Sequence, residues 1–109
     1  MDIELVRITP DSKQKYVLVR AGTFEENQLL LWGNPAAQWH KDVVEEIAGS
    51  GYVIVEVIGG GRLHMDSASK ALYVWGKSDR FGPAPEDSVE GMLRKAFPEY
   101  DVLVGQEPE

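Results

Sequence analysis

The residues with the chemistry to act on an anion gather in one stretch, Gly59-Gly60-Gly61-Arg62 through Gly82-Pro83. Three glycines in a row let backbone come close to a neighbouring group, because no Cβ intervenes. Arg62 follows them, and the polar loop Lys77-Ser78-Asp79-Arg80 closes the far end. Residues 59–82 carry Arg62, Lys70, Lys77 and Arg80 against Asp66 and Asp79, in a chain of net charge −7. A locally basic site on an acidic protein suits a small or local anion better than a polyanion. The same clustering also arises on an ordinary solvated surface.

Two histidines are present, His40 and His64. His40 falls at the margin of an apolar helical stripe, where it either packs against a carbonyl or serves as an acid or base aimed at the sheet. His64 follows Arg62 by two residues and reads as an exposed strand residue. Neither belongs to a metal-ligand pattern: no third ligand is spaced with them and no His-Glu-x-x-His is present. The chain has no cysteine, so thiolate chemistry and disulfides are excluded. The glycine run is no nucleotide fingerprint, since a strand rather than a helix follows it. Its structural reading is a bulge or bend that needs positive φ. No G-x-S-x-G elbow marks Ser78 as a nucleophile.

These residues are held by a pattern of short strands and two helices. Met1 to Ile8 alternates as a strand, and Pro10-Asp11-Ser12 turns. Lys15 to Arg20 is rich in β-formers and reads as a central strand, and Gln28 to Trp32 as a short one. Asn34-Pro35 has the form of an N-cap followed by proline, predicting a helix from Pro35 to about Ala48. In it Trp39, Val43 and Ile47 form one apolar row, and Ala36, His40, Val44 and Ile47 the adjoining one. Tyr52 to Ile58 reads as a buried strand, and Leu63–Asp66 with Lys70–Trp75 as a hairpin. A second helix runs from Pro85 or Glu86 to Phe97, with acids in its first turn and Arg94-Lys95 in its last. Tyr100 to Val104 is a final strand, and residues 105–109 a flexible tail. The expected fold class is α/β: a single small domain over residues 1–109, with a mixed sheet of about six strands and two α-helices.

The acidic balance argues against broad nucleic-acid binding, which depends on a basic surface. The N-terminus has no signal-peptide pattern, and no apolar run approaches the roughly 20 residues that span a bilayer. The expectation is a cytoplasmic monomer with neither nucleic acid nor membrane as partner. By pattern alone the chain is an anion-binding α/β domain.

A resemblance narrows this. Lys15-Tyr16-Val17-Leu18-Val19-Arg20, Trp39-His40 with Asp42-Val43, Gly59-Gly60-Gly61-Arg62, Gly76-x-Ser78-x-x-Phe81-Gly82-Pro83-Ala84 and Phe97-Pro98-Glu99-Tyr100 stand in the order of the Janus/Ocnus family, which the chain resembles from Lys15 to Val104. The resemblance implies a metal-independent hydrolase without cofactors that removes phosphate from phosphohistidine in proteins or peptides. By it the essential histidine is His40, as general base or as nucleophile. Phosphate would be bound by Lys15, Arg62 and the loop of Ser78, Asp79 and Arg80. The family also holds members known for developmental roles, so a phosphoprotein-binding module without turnover is the alternative. Trp32 stands where the family's phosphatase-type members carry an arginine, which implies one anion contact fewer.

Overall fold

The run Tyr16-Val17-Leu18-Val19 is buried on both faces and forms the middle of a single sheet. In the computed structural model, residues 5–22 and 25–108 are described. Their order is β1 (Val6–Arg7), β2 (Lys13–Gly22), β3 (Asn27–Asn34), α1 (His40–Gly49), β4 (Val53–Asp66), β5 (Ala71–Trp75), α2 (Glu86–Ala96) and β6 (Asp101–Val104). The sheet is mixed and runs β1-β3-β2-β4-β5-β6. Its inner pairs are antiparallel, and the edge strands β1 and β6 lie parallel to their neighbours. The α/β class with six strands and two helices is as the pattern predicts. Of the strand expected over Met1 to Ile8, the first four residues lie outside the described set, and only Val6–Arg7 pairs.

The sheet separates two hydrophobic clusters. On one face Val89 and Leu93 of α2 pack on Leu18, Leu31, Leu63 and Leu72. On the other, Val43 and Ile47 of α1 pack on Val17, Val19, Leu30 and Trp32. Alternation along β2 dictates this split, because successive side chains of a strand point to opposite faces.

Three expectations need correction. The glycines do not separate two strands: β4 runs straight through them, with Gly59, Gly60 and Gly61 opposite Leu18, Val17 and Tyr16. None of the three has positive φ. A bulge does precede them, where the register steps from Leu18↔Gly59 to Val19↔Val57 and leaves Ile58 extra. The first half of β4 is also less buried than its apolar sequence predicts, with Val53 58% and Val55 60% exposed. Within β4, β5 pairs only with Arg62–Asp66, so this half of β4 has no strand on that side among the described residues.

The third correction concerns α1, which starts at His40 and not at Pro35. Asn34 ends β3, and its Oδ1 accepts the Ala36 N–H at 2.8 Å while its carbonyl accepts the Ala37 N–H at 3.1 Å. An asparagine before proline serves a turn as readily as a helix start, and here the turn wins. Its Nδ2 donates to Glu46 Oε2 at 2.7 Å, tying the turn to the helix. Trp39 becomes the N-cap, leaving the apolar row at 56% exposure. Asp42 accepts the Trp39 N–H at 2.9 Å, which is half of a capping box. Gly51, at φ 100°, closes the helix, its N–H donating to the Ala48 carbonyl.

Candidate functional site

In the β2/β4 ladder Lys15 lies directly opposite Arg62, and Arg62 directly opposite Trp75 on β5. The three therefore share one face of the sheet, the α1 face. Like charges directly opposite one another destabilise a sheet, and an anion bound between them would offset that cost.

His40, the first residue of α1, closes the site from above. It is 8% exposed, and its Nε2 lies 2.8 Å from the Gly61 carbonyl. A carbonyl only accepts, so Nε2 carries the proton and Nδ1 is left as the basic nitrogen. The glycine run makes this approach possible. A Cβ on Gly60 would stand 3.0 Å from His40 Cδ2 and 2.5 Å from the Tyr16 carbonyl oxygen. A Cβ on Gly59 would strike the Pro83 carbonyl, and one on Gly61 would stand 3.0 Å from the Trp75 carbonyl oxygen. Close approach, not unusual φ, is the reason for three glycines.

Burial is the main cause that lowers the His40 pKa below its usual 6.5. The Gly61 bond acts against this, the Lys15 and Arg62 cations add to it, and Asp79 opposes it. The imidazole is therefore neutral at physiological pH and free to take a proton.

The loop after β5 supplies the remaining wall. The Gly60 N–H donates to the Gly82 carbonyl at 3.0 Å, and the Ser78 N–H to the Gly60 carbonyl at 3.1 Å. The Gly82 N–H returns to the Ser78 carbonyl at 2.9 Å, closing the loop on itself. Ser78 is 1% exposed, and its Oγ accepts the Phe81 N–H at 3.0 Å, so the side chain shapes the loop. Among the described residues the N–H groups of Asp79 and Arg80 meet no acceptor. Successive free N–H groups in a turn form a concavity suited to an anion. Gly76 and Gly82 supply the positive φ, at 75° and 77°, that folds the loop so tightly.

All six residues singled out in the sequence, Lys15, His40, Arg62, Ser78, Asp79 and Arg80, line one cleft of about 780 Å³. Gln38, Trp39, Lys41, Trp75, Gly76, Lys77 and Glu107 complete it. The sequence pattern missed Gln38, Lys41, Glu107 and Trp75: Lys41 falls on the polar face of the predicted helix, and Glu107 comes from beyond β6, where no spacing ties it to the site. Trp75 was legible only as a hairpin residue; its register with Arg62 brings it in. His64 does not join them. It faces Lys13 and Tyr73 across the ladder and lines a separate hollow, its Nδ1 without a partner among the described residues. Trp32 does not line the cleft either. It is buried under α1, edge-on to Tyr52 at 5.7 Å with the Arg7 guanidinium 4.8 Å over its ring, so its role is in the core. Among the described residues no three His, Asp or Glu side chains group as metal ligands, and no helix is long and apolar enough to cross a membrane.

Fold and cleft together define a small α/β protein with a cationic cleft around one buried, neutral histidine. The chain belongs to the Janus/Ocnus family, whose profile matches residues 1–101. It is 30% identical over 115 residues to the sex-regulated protein janus-A of Drosophila pseudoobscura pseudoobscura, covering 96% of this chain and 76% of that one. It is 28% identical over 107 residues to the human 14 kDa phosphohistidine phosphatase, covering 89% of this chain and 86% of that one. Janus-A of Drosophila melanogaster is 28% identical over 109 residues. The family thus includes a phosphohistidine phosphatase alongside the Janus proteins.

Proposed function

We propose that this protein is a phosphatase that hydrolyses the P–N bond of phosphohistidine in proteins or peptides without a metal ion. The observation that carries the reading is the Lys15–Arg62 cross-strand pair, without an acidic partner among the described residues and set beneath a histidine whose Nδ1 is its basic nitrogen. Arg62 offers a planar fork to two phosphoryl oxygens, Lys15 a point charge, and the Asp79 and Arg80 N–H groups a nest for the third. His40 Nδ1 takes a proton from water as the water oxygen bonds to phosphorus. The P–N electron pair goes to the departing imidazole, which leaves neutral when its other nitrogen is protonated. The proton on His40 then passes to solvent. The P–N bond is weak, so positioning and charge stabilisation supply the catalysis.

A second reading is a phosphoprotein-binding module without turnover. It is favoured by the Janus relatives, whose name, sex-regulated protein, carries no enzymatic activity. One assay separates the two. Phosphate release from a phosphohistidine peptide is followed with a chelator present, for the parent and for His40→Ala. Turnover that His40→Ala abolishes while the fold is kept supports the phosphatase. Equal rates in the two proteins sink the His40 mechanism, and binding without release in both supports the module.

A further inference from the structure

Lys15 and Arg62 already match the charge of one phosphoryl group, which carries close to two negative charges at neutral pH. The cleft holds three more cations, Lys41, Lys77 and Arg80, against only the carboxylates of Asp79 and Glu107. All three are exposed. Among the described residues the one ion pair is Arg94–Glu90, on the far side of the sheet, so none of the three is neutralised. Among the described residues Arg80 has only the Phe81 ring beneath its guanidinium, at 5.7 Å. In a chain of net charge −7, unpaired cations crowding one cleft repel each other and are relieved by an incoming anion. Lys41 stands on α1 and Lys77 on the loop after β5, so the excess charge comes from two elements rather than one. In the same cleft the exposed Trp39 and half-buried Trp75 offer apolar surface on which a polypeptide can lie.

Resting on the phosphatase reading above, we propose that Lys41 and Lys77, with Arg80, form an outer collar that binds carboxylates flanking the phosphorylated histidine. The substrate is then a phosphohistidine within an acidic segment of a protein. Ammonium groups on flexible, hydrated stems suit this task, because they follow carboxylates whose positions vary with sequence. Such rim charges act on encounter and binding more than on the chemical step.

The test compares peptides that carry the same phosphohistidine flanked by Glu, Ala or Lys. The Glu-flanked peptide is expected to show about tenfold higher kcat/KM than the Ala-flanked one, through KM, and the Lys-flanked peptide to be the poorest. In the Lys41→Gln/Lys77→Gln double variant the Glu preference falls to about twofold or less, while kcat/KM for the Ala-flanked peptide is kept. Equal kcat/KM for the three parent peptides overturns the collar, as does a preference that survives in the double variant. If no peptide is turned over, the phosphatase reading fails. The collar is then decided by Kd values for the same peptides carrying a hydrolysis-resistant phosphoryl-triazole in place of phosphohistidine. Tighter binding of the Glu-flanked analogue, lost in the double variant, upholds it; equal Kd values or absent binding overturn it.

Discussion

His40 is held through its Nε2 by the Gly61 carbonyl, and its ring edge lies against the bare Cα of Gly60. That leaves Nδ1 as the working nitrogen and ties activity to its protonation. Because burial above all lowers the His40 pKa, kcat/KM is expected to rise through a midpoint below 6.5 and stay level towards neutral pH. Arg62→Ala removes one cation that depresses the pKa, so the acid limb should move up. The sign for stability follows from linkage. Folded His40 binds its proton less readily than unfolded His40, so stability falls as pH drops below 6.5 towards the folded pKa. Urea titrations across that window should show this slope in the parent and lose it in His40→Gln. Arg62→Ala should also weaken binding of inorganic phosphate by about 1.5–3 kcal/mol, the worth of a charged hydrogen bond. NMR titration measures this, and an unchanged affinity removes Arg62 from the site.

At the scale of elements, β4 and α1 depend on each other at one point. Gly60→Ala places a Cβ against the Tyr16 carbonyl and the His40 ring at once. One of these is backbone within the ladder and cannot yield cheaply. The variant is expected to lose about 1–3 kcal/mol of stability by overpacking, and to displace His40 even where the fold survives. Denaturation midpoints report the first effect and His40 ring resonances the second; native resonances in a stable variant contradict the account. Asn34→Ala removes both the Ala36 N–H acceptor and the Glu46 donor. It should cost about 1 kcal/mol and loosen the start of α1, read as faster hydrogen exchange in the turn before the helix.

For the whole molecule, the sheet divides stability from function. Leu93 of α2 and Ile47 of α1 are both fully buried, in clusters on opposite faces. Truncating either to alanine should cost about 2–5 kcal/mol. Only Ile47→Ala loosens the helix that carries His40, so only it should lower kcat at temperatures where both variants remain folded. An equal loss of kcat in Leu93→Ala would mean that the two faces are not independent. Electrostatics also acts at this scale: the cationic cleft stands out against an acidic surface, and added salt should weaken phosphate binding as exposed charges are screened.

Residue types and order by themselves determined the α/β class, the central strand at Lys15–Arg20 and the second helix. Each of these rests on local periodicity or on a motif with fixed spacing. Local pattern misled where one signal served two structures: Asn34-Pro35 fits a helix start and a turn alike, and only the bond to Glu46 of α1 decides between them. The glycine run read as a bend for the same reason, since absence of a Cβ permits both positive φ and close packing. Tertiary structure alone decided which applies, by stacking α1, β2 and the loop after β5 against Gly59–Gly61. It also decided that Lys15 stands opposite Arg62, although they stand 47 positions apart in the chain. Ladder register is a property of paired strands, and no single strand contains it. The two glycine-flanked ends of the stretch from Gly59 to Pro83 become neighbours through the same pairing, where the Gly60 N–H meets the Gly82 carbonyl.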